Sequence, residues 1–149
     1  LLVAQNKTIA VAESCTGGFL AHLISEVPGC SRYFMGSVTS YDNAIKIGEL
    51  GVLPQTLEEF GAVSEQTAKE MAEGIRQKMK VDYALSTTGV AGPTGGSEGK
   101  PVGTVWIACA GPNGTVTQKL KLTTQRGTNI RWASYLTLNF LRKELIKNQ

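Results

Sequence analysis

The sequence predicts an α/β fold, a single three-layer α/β/α domain built on a mixed β-sheet. Three observations carry this reading. An apolar strand runs through a tight polar turn into a helix near the N-terminus. Strands and helices then alternate, as crossover units do. Two further strands joined by Gly111-Pro112-Asn113-Gly114 close the sheet with an antiparallel hairpin.

The elements follow in chain order. Lys7 to Ala12 reads as a short, mostly buried strand, followed by the turn Glu13-Ser14-Cys15-Thr16-Gly17-Gly18. Phe19 to Ile24 reads as a helix, stopped by Pro28-Gly29. Tyr33 to Tyr41 is rich in β-branched and aromatic residues, and reads as the second strand. Ser64 suits the N-cap of a helix running to about Met79. Its apolar positions Ala68, Met71, Ala72, Ile75 and Met79 recur at helical spacing, and Glu65 suits the positive helix end. Val81 to Thr88 reads as the third strand, Val102 to Ala110 and Thr115 to Thr123 as the hairpin pair. A last helix, from about Thr128 to Lys147, carries Ile130, Ala133, Leu136, Phe140 and Leu141 on one side.

Size and composition agree with one domain spanning residues 1–149. The chain has 149 residues, 42% hydrophobic and 18% charged, which excludes disorder, collagen and a coiled coil. A chain this long buries about 70% of its unfolded surface, enough for a core without disulfides or metals. No apolar run approaches the roughly 20 residues that span a bilayer, and the N-terminus lacks the pattern of a signal peptide. It also lacks an initiator methionine, as a piece cut from a longer chain would.

His22 is the only histidine, so a two-histidine metal site is excluded within one chain, and no metal is expected. The residue lies in an apolar helical stretch more than two turns past Ser14, where a satisfied or half-buried histidine is the plain reading. Cys15, Cys30 and Cys109 are an odd set without C-x-x-C spacing, which fits reduced thiols in the cytoplasm. The net charge of +3 hides an asymmetry: residues 1–99 carry 7 Lys/Arg against 11 Asp/Glu, residues 100–149 carry 8 against one. A basic end can attract an anion, and it can equally be the solvated face of a terminal helix. Nucleic-acid binding needs a denser basic stripe or interleaved aromatics, and neither occurs.

Three segments carry candidate chemistry. The turn Glu13 to Gly18 follows a strand and opens a helix, so its backbone N–H groups can meet an anion or a developing oxyanion. It matches neither a Walker A loop nor G-x-G-x-x-G, and helix capping explains it equally well. Ser14 and Cys15 adjoin, and at a turn one of them points away to pack. The segment Tyr41-Asp42-Asn43-Ala44-Ile45-Lys46, placed at the end of the second strand, holds a lysine. An amine can serve as base where histidine is missing, provided its pKa falls from about 10.4 towards 7–8, a shift of roughly 4 kcal/mol. Most lysines are surface groups, and Lys46 differs only if folding brings it to Ser14. The third segment, Gly89 to Pro101, is a long glycine-rich loop of the kind that binds or covers a ligand. Arg126 and Arg131 can close on a phosphate with bidentate hydrogen bonds, or lie on the surface.

Taken together these strings resemble the CinA C-terminal domain family, the nicotinamide-nucleotide amidohydrolases. The resemblance runs from about Thr8 to the final helix. It is carried by Ala12-Glu13-Ser14-Cys15-Thr16-Gly17-Gly18, Gly61-Ala62-Val63-Ser64-Glu65, Gly89-Val90-Ala91-Gly92-Pro93 with Gly95-Gly96-Ser97, and Lys100-Pro101-Val102-Gly103-Thr104-Val105. What it implies is hydrolysis of the carboxamide of nicotinamide mononucleotide to nicotinate mononucleotide and ammonia, without a cofactor. Carried over by motif, Ser14 is the nucleophile, Lys46 its general base, and Tyr41 orients or polarises the pair. Thr16, Gly17 and Gly18 supply turn amides, and Gly89, Ala91, Gly92, Arg126 and Arg131 are assigned to substrate binding. Two positions depart from the family: Asp42 stands where it usually has serine, and Thr124-Gln125 where many relatives have Gly-Asp. The partner expected is the small-molecule nucleotide, with no nucleic acid or membrane, in a cytoplasmic homo-oligomer. The alternative is a catalytically silent nucleotide-binding module with a regulatory role in competence or stress.

Overall fold

A computed structural model describes residues 1–148. Its elements are β1 (Ile9–Glu13), α1 (Phe19–Ser25), a 3-10 turn (Cys30–Arg32), β2 (Phe34–Thr39), α2 (Asn43–Leu50), α3 (Pro54–Phe60), α4 (Glu65–Met79), β3 (Tyr83–Gly89), β4 (Thr104–Gly111), β5 (Gly114–Lys121) and α5 (Arg126–Lys147). The five strands form one mixed sheet in the order β2-β1-β3-β4-β5. β1 pairs in parallel with β2 and β3, and the β4–β5 hairpin adds antiparallel to β3. The mixed α/β/α sandwich expected from the sequence is the fold found.

Alternation along β1 explains the two helical layers. Ile9 and Val11 face α1 and α5, in a cluster with Leu20, Ile24, Leu85, Leu141 and Leu145. Ala10 and Ala12 face the other side, with Leu50, Met71 and Ile75 of α2 and α4. The small side chains of β1 on that face let α4 sit close, and Gly74 brings α4 against the carbonyl of Leu50, where a Cβ would collide. This contact fixes the C-terminal end of α2.

Three elements differ from expectation. Asn43–Leu50 is a helix, so Lys46 projects from α2 and does not extend the second strand, which stops at Thr39. Asp42 caps this helix, its side chain accepting from the Ala44 N–H at 2.8 Å, and Gly51 ends it in the left-handed region. The short helix α3 begins with Pro54 in its first turn. α5 starts at Arg126, two residues earlier than the spacing suggested. No helix among the described residues is long and apolar enough to cross a membrane.

The first crossover, through α1, lies on one face of the sheet, and the second, through α2 to α4, on the other. Chain connections therefore diverge beside β1 at the carboxyl ends of the parallel strands, where open α/β sheets form their ligand crevices. Ser14 leaves β1 at that edge and Ser40 leaves β2.

Candidate active site

Ser14 is the first residue past β1. Its N–H donates to the Thr87 carbonyl at 2.9 Å, and its own carbonyl accepts from the Gly17 N–H at 3.0 Å. The chain thus turns sharply, with Gly17 and Gly18 both at positive φ. One turn into α2, Lys46 points inward beneath this turn and is only 1% exposed. Its Nζ lies 3.0 Å from Ser14 Oγ, 2.7 Å from the Ser40 carbonyl and 3.3 Å from the Tyr41 carbonyl.

That set of partners suits an uncharged amine. As –NH2, Lys46 has two protons for the two carbonyls and one lone pair for the Ser14 hydroxyl. As –NH3+, all three protons are donated and nothing remains to receive the serine proton. Burial pushes the Lys46 pKa below the ordinary 10.5, against a smaller opposite pull from Asp42. The acid that departs from the family pattern therefore both caps α2 and holds the lysine's charge back from falling further.

Cys15 points the other way. It packs with Ala91, Val105, Ile107, Leu120 and Ala133 beneath α5. Burial raises its pKa to about 12, so the thiol stays protonated and inert near neutrality. The sequence left Ser14 and Cys15 undecided, and the fold places the serine on the amine and the cysteine in the core.

The polar turn is only partly available to a ligand. The Thr16 hydroxyl is buried and engaged with Glu13 at 2.6 Å and Thr87 at 2.7 Å, and the Gly17 N–H is spent on Ser14. The N–H groups of Thr16 and Gly18 have no acceptor among the described residues. The first N–H groups of α1 are occupied as well: Glu13 accepts from Leu20 at 2.8 Å and Ala21 at 3.0 Å. The helix end that the sequence offered as an anion site is filled by the protein's own carboxylate.

Across the mouth of the site, Tyr41 is 56% exposed and its hydroxyl accepts from Arg126 Nη2 at 2.7 Å. Arg126 Nη1 donates to the Gly92 carbonyl at 2.8 Å. Tyr41 thus meets Lys46 through its carbonyl, while its phenol is turned to the arginine. The structure brings Ser14, Lys46, Tyr41, Arg126 and Gly92 into one hydrogen-bonded chain. Gly89 ends β3, and Ala91 is buried against α5; any side chain at Gly89 or Gly92 would run into Val105 or Val102 respectively. Arg131 is exposed and without a hydrogen-bond partner among the described residues. His22 on α1 is exposed rather than half-buried, 3.3 Å from Glu26. No group of His, Cys, Asp and Glu that could hold a metal occurs among the described residues.

Three contributors escaped the sequence reading. Ser40 presents the carbonyl nearest the amine, and Glu13 ties the turn. Asn129 is buried in the first turn of α5. Its amide nitrogen donates to the Ala91 and Thr123 carbonyls at 3.0 and 2.9 Å, and its oxygen accepts from the Thr123 N–H and hydroxyl. It locks the glycine-rich loop to α5. A polar residue in phase with Ala133, Thr137, Leu141 and Leu145, at spacings of four, was the available signal.

Fold and site define a class: an open-sheet α/β/α domain with a buried lysine under a strand-end serine. The chain belongs to the CinA C-terminal domain family, whose model matches residues 1–145. A CinA-like protein of Cytophaga hutchinsonii is 51% identical over 145 residues, covering 97% of this chain and 35% of that protein. One from Desulfosudis oleivorans is 50% identical over 147 residues, 98% of this chain and 36% of the relative. The chain thus spans about a third of the length of these relatives. Among solved structures, the competence damage-inducible protein A of Klebsiella pneumoniae superposes with a TM-score of 0.96 at 32% identity, covering 99% of this chain and 92% of that one. The competence/damage inducible protein of Agrobacterium tumefaciens gives 0.93 at 35% identity, covering 99% and 89%.

Proposed function

We propose that the domain is an amidohydrolase that deamidates nicotinamide mononucleotide through Ser14 and Lys46. The observation that carries the reading is the buried Lys46 amine 3.0 Å from Ser14 Oγ, with two carbonyls consuming its protons. An amide is a poor electrophile and needs an activated hydroxyl, stabilisation of the oxyanion and a proton for the departing nitrogen. Ser14 Oγ attacks the carboxamide carbon as its proton passes to Lys46. The unspent N–H groups of Thr16 and Gly18 receive the negative oxygen. Lys46 then returns the proton to nitrogen, the C–N bond breaks and ammonia leaves. Water, deprotonated by the same amine, hydrolyses the ester to release the nicotinate product and free Ser14.

The choice of substrate rests on the resemblance and on the surroundings of the pair. Arg126, with Gly89 to Gly92 beside it, supplies a cation for the nucleotide phosphate, and Arg131 lies one turn further along α5. A chain with three free cysteines fits the reducing cytoplasm. Incubating the purified chain with nicotinamide mononucleotide should release ammonia and nicotinate mononucleotide in equal amounts. Nucleotide binding without ammonia would overturn the enzyme reading in favour of a silent binding module.

A further inference from the structure

Glu13 is a fully buried carboxylate, 0% exposed, and no cation lies within ion-pair distance of it among the described residues. Burying a charge without an ion-pair partner is costly unless dedicated hydrogen-bond donors surround it. What compensates the charge is three short donors: the Thr16 hydroxyl at 2.6 Å and the Leu20 and Ala21 N–H groups at 2.8 and 3.0 Å. Thr16 passes the connection to Thr87 on β3 at 2.7 Å. The Ser14–Gly18 turn is therefore clamped between β3 and the first turn of α1 through one side chain. The backbone of the same residue holds the other half of the site. The Glu13 carbonyl accepts from the Ser40 N–H at 2.7 Å and its hydroxyl at 3.3 Å, and the Ser40 carbonyl is the closest acceptor of Lys46.

We propose that Glu13 is a positioning residue for the nucleophile: its carboxylate sets the turn that aims Ser14 at Lys46 and leaves the Thr16 and Gly18 N–H groups without a protein acceptor among the described residues. It touches neither the substrate nor the reacting atoms. This inference rests on the Ser14–Lys46 pair described above, and its effect falls on the chemical step, because the groups assigned to the nucleotide's other end hang from Ala91, Gly92 and α5.

Two conservative variants test it. Glu13→Gln keeps the shape but sets an NH2 group against an N–H donor, and Glu13→Asp keeps the charge but retracts it by one methylene. Each should remain folded by circular dichroism while kcat falls about 10- to 100-fold, the cost of a displacement near 1 Å at reacting atoms. KM should stay within about twofold, and the acid limb of the pH profile should keep its midpoint, because the burial of Lys46 and its Ser40 and Tyr41 carbonyl partners remain. A second readout is independent of the substrate: phosphonylation of Ser14 by a fluorophosphonate, followed by intact mass, in which the Oγ–P bond forms and fluoride leaves. It should slow in parallel with kcat. Folded variants with wild-type kcat and labelling would overturn the proposal, as would losses no larger than the unfolded fraction, or failure of both variants to fold. A wild-type chain that labels at Ser14 but releases no ammonia would defeat the amidase reading and leave this one to be decided by labelling. A wild-type chain that does not label defeats the positioning role.

Discussion

Lys46→Met is expected to remain folded while its turnover of nicotinamide mononucleotide falls about 10^3-fold, the range lost with a general base. Methionine fills the space of the lysine stem and cannot take a proton. Two stability effects oppose each other. The variant no longer has to dehydrate an amine, but it orphans the buried Ser40 carbonyl, which costs about 1–3 kcal/mol. The net change should be near 1 kcal/mol in either direction, equal to about 2–4 °C in melting temperature for a chain this size. Its dependence on pH has a definite sign. The Lys46 pKa is lowered by folding from 10.5. Below the lowered value both states of the wild type hold the proton, and the whole cost of a buried ammonium is present. As pH rises through the window up to 10.5, the folded chain has released a proton that the unfolded chain still binds, so wild-type stability increases. Melting temperatures of the two chains across that window should therefore shift in favour of the wild type as pH rises. A constant difference would mean that Lys46 titrates as an exposed lysine does.

Ser14→Ala should lose turnover by at least about 10^3-fold, because the bond-forming oxygen is gone and water would have to replace it in an unprepared geometry. The fold should not suffer. Ser14 is held by its backbone, to Thr87 and Gly17, and the turn is clamped by the Glu13 carboxylate without help from the serine hydroxyl. Nucleotide binding, read as a rise in melting temperature with added ligand, should persist, since the phosphate contacts assigned to Arg126 are untouched. Loss of turnover with retained binding separates a nucleophile from a residue that merely contacts the nucleotide. Substantial ammonia release by the variant would remove Ser14 from the mechanism.

β1 was legible as a short apolar run buried on both faces, α4 by its apolar spacing, and the hairpin by its Gly-Pro-Asn-Gly turn. α2 was not, since its pattern is inverted: Lys46 and Leu50 point inward while Ile45 and Ile47 are exposed. A reading that sends apolar residues to the core and charges to solvent cannot recover such a helix. The residue that hides α2 is the one that gives it a use. α3 buries little beyond Thr56 and offers only Pro54 as a start signal. Around the site, the proposed nucleophile and base came from motif resemblance, whereas their juxtaposition depended on α2 folding back beneath β1. Glu13 and Asn129 were missed for one reason. Each is a polar side chain in a core position, and its hydrogen-bond partners, in α1 for the first and in the glycine-rich loop for the second, exist only once the chain is folded.

The proposed mechanism needs the Lys46 amine to give up its proton more readily than a surface lysine does. Titration of the chain labelled with 13C at the lysine ε-carbons, with the Lys46→Met variant identifying the resonance, follows that proton directly. One lysine should show a midpoint below all the others, and its signal should disappear in the variant. A Lys46 resonance that moves together with the surface lysines, near about 10.4, would contradict the mechanism, because a permanent ammonium cannot accept the proton of Ser14.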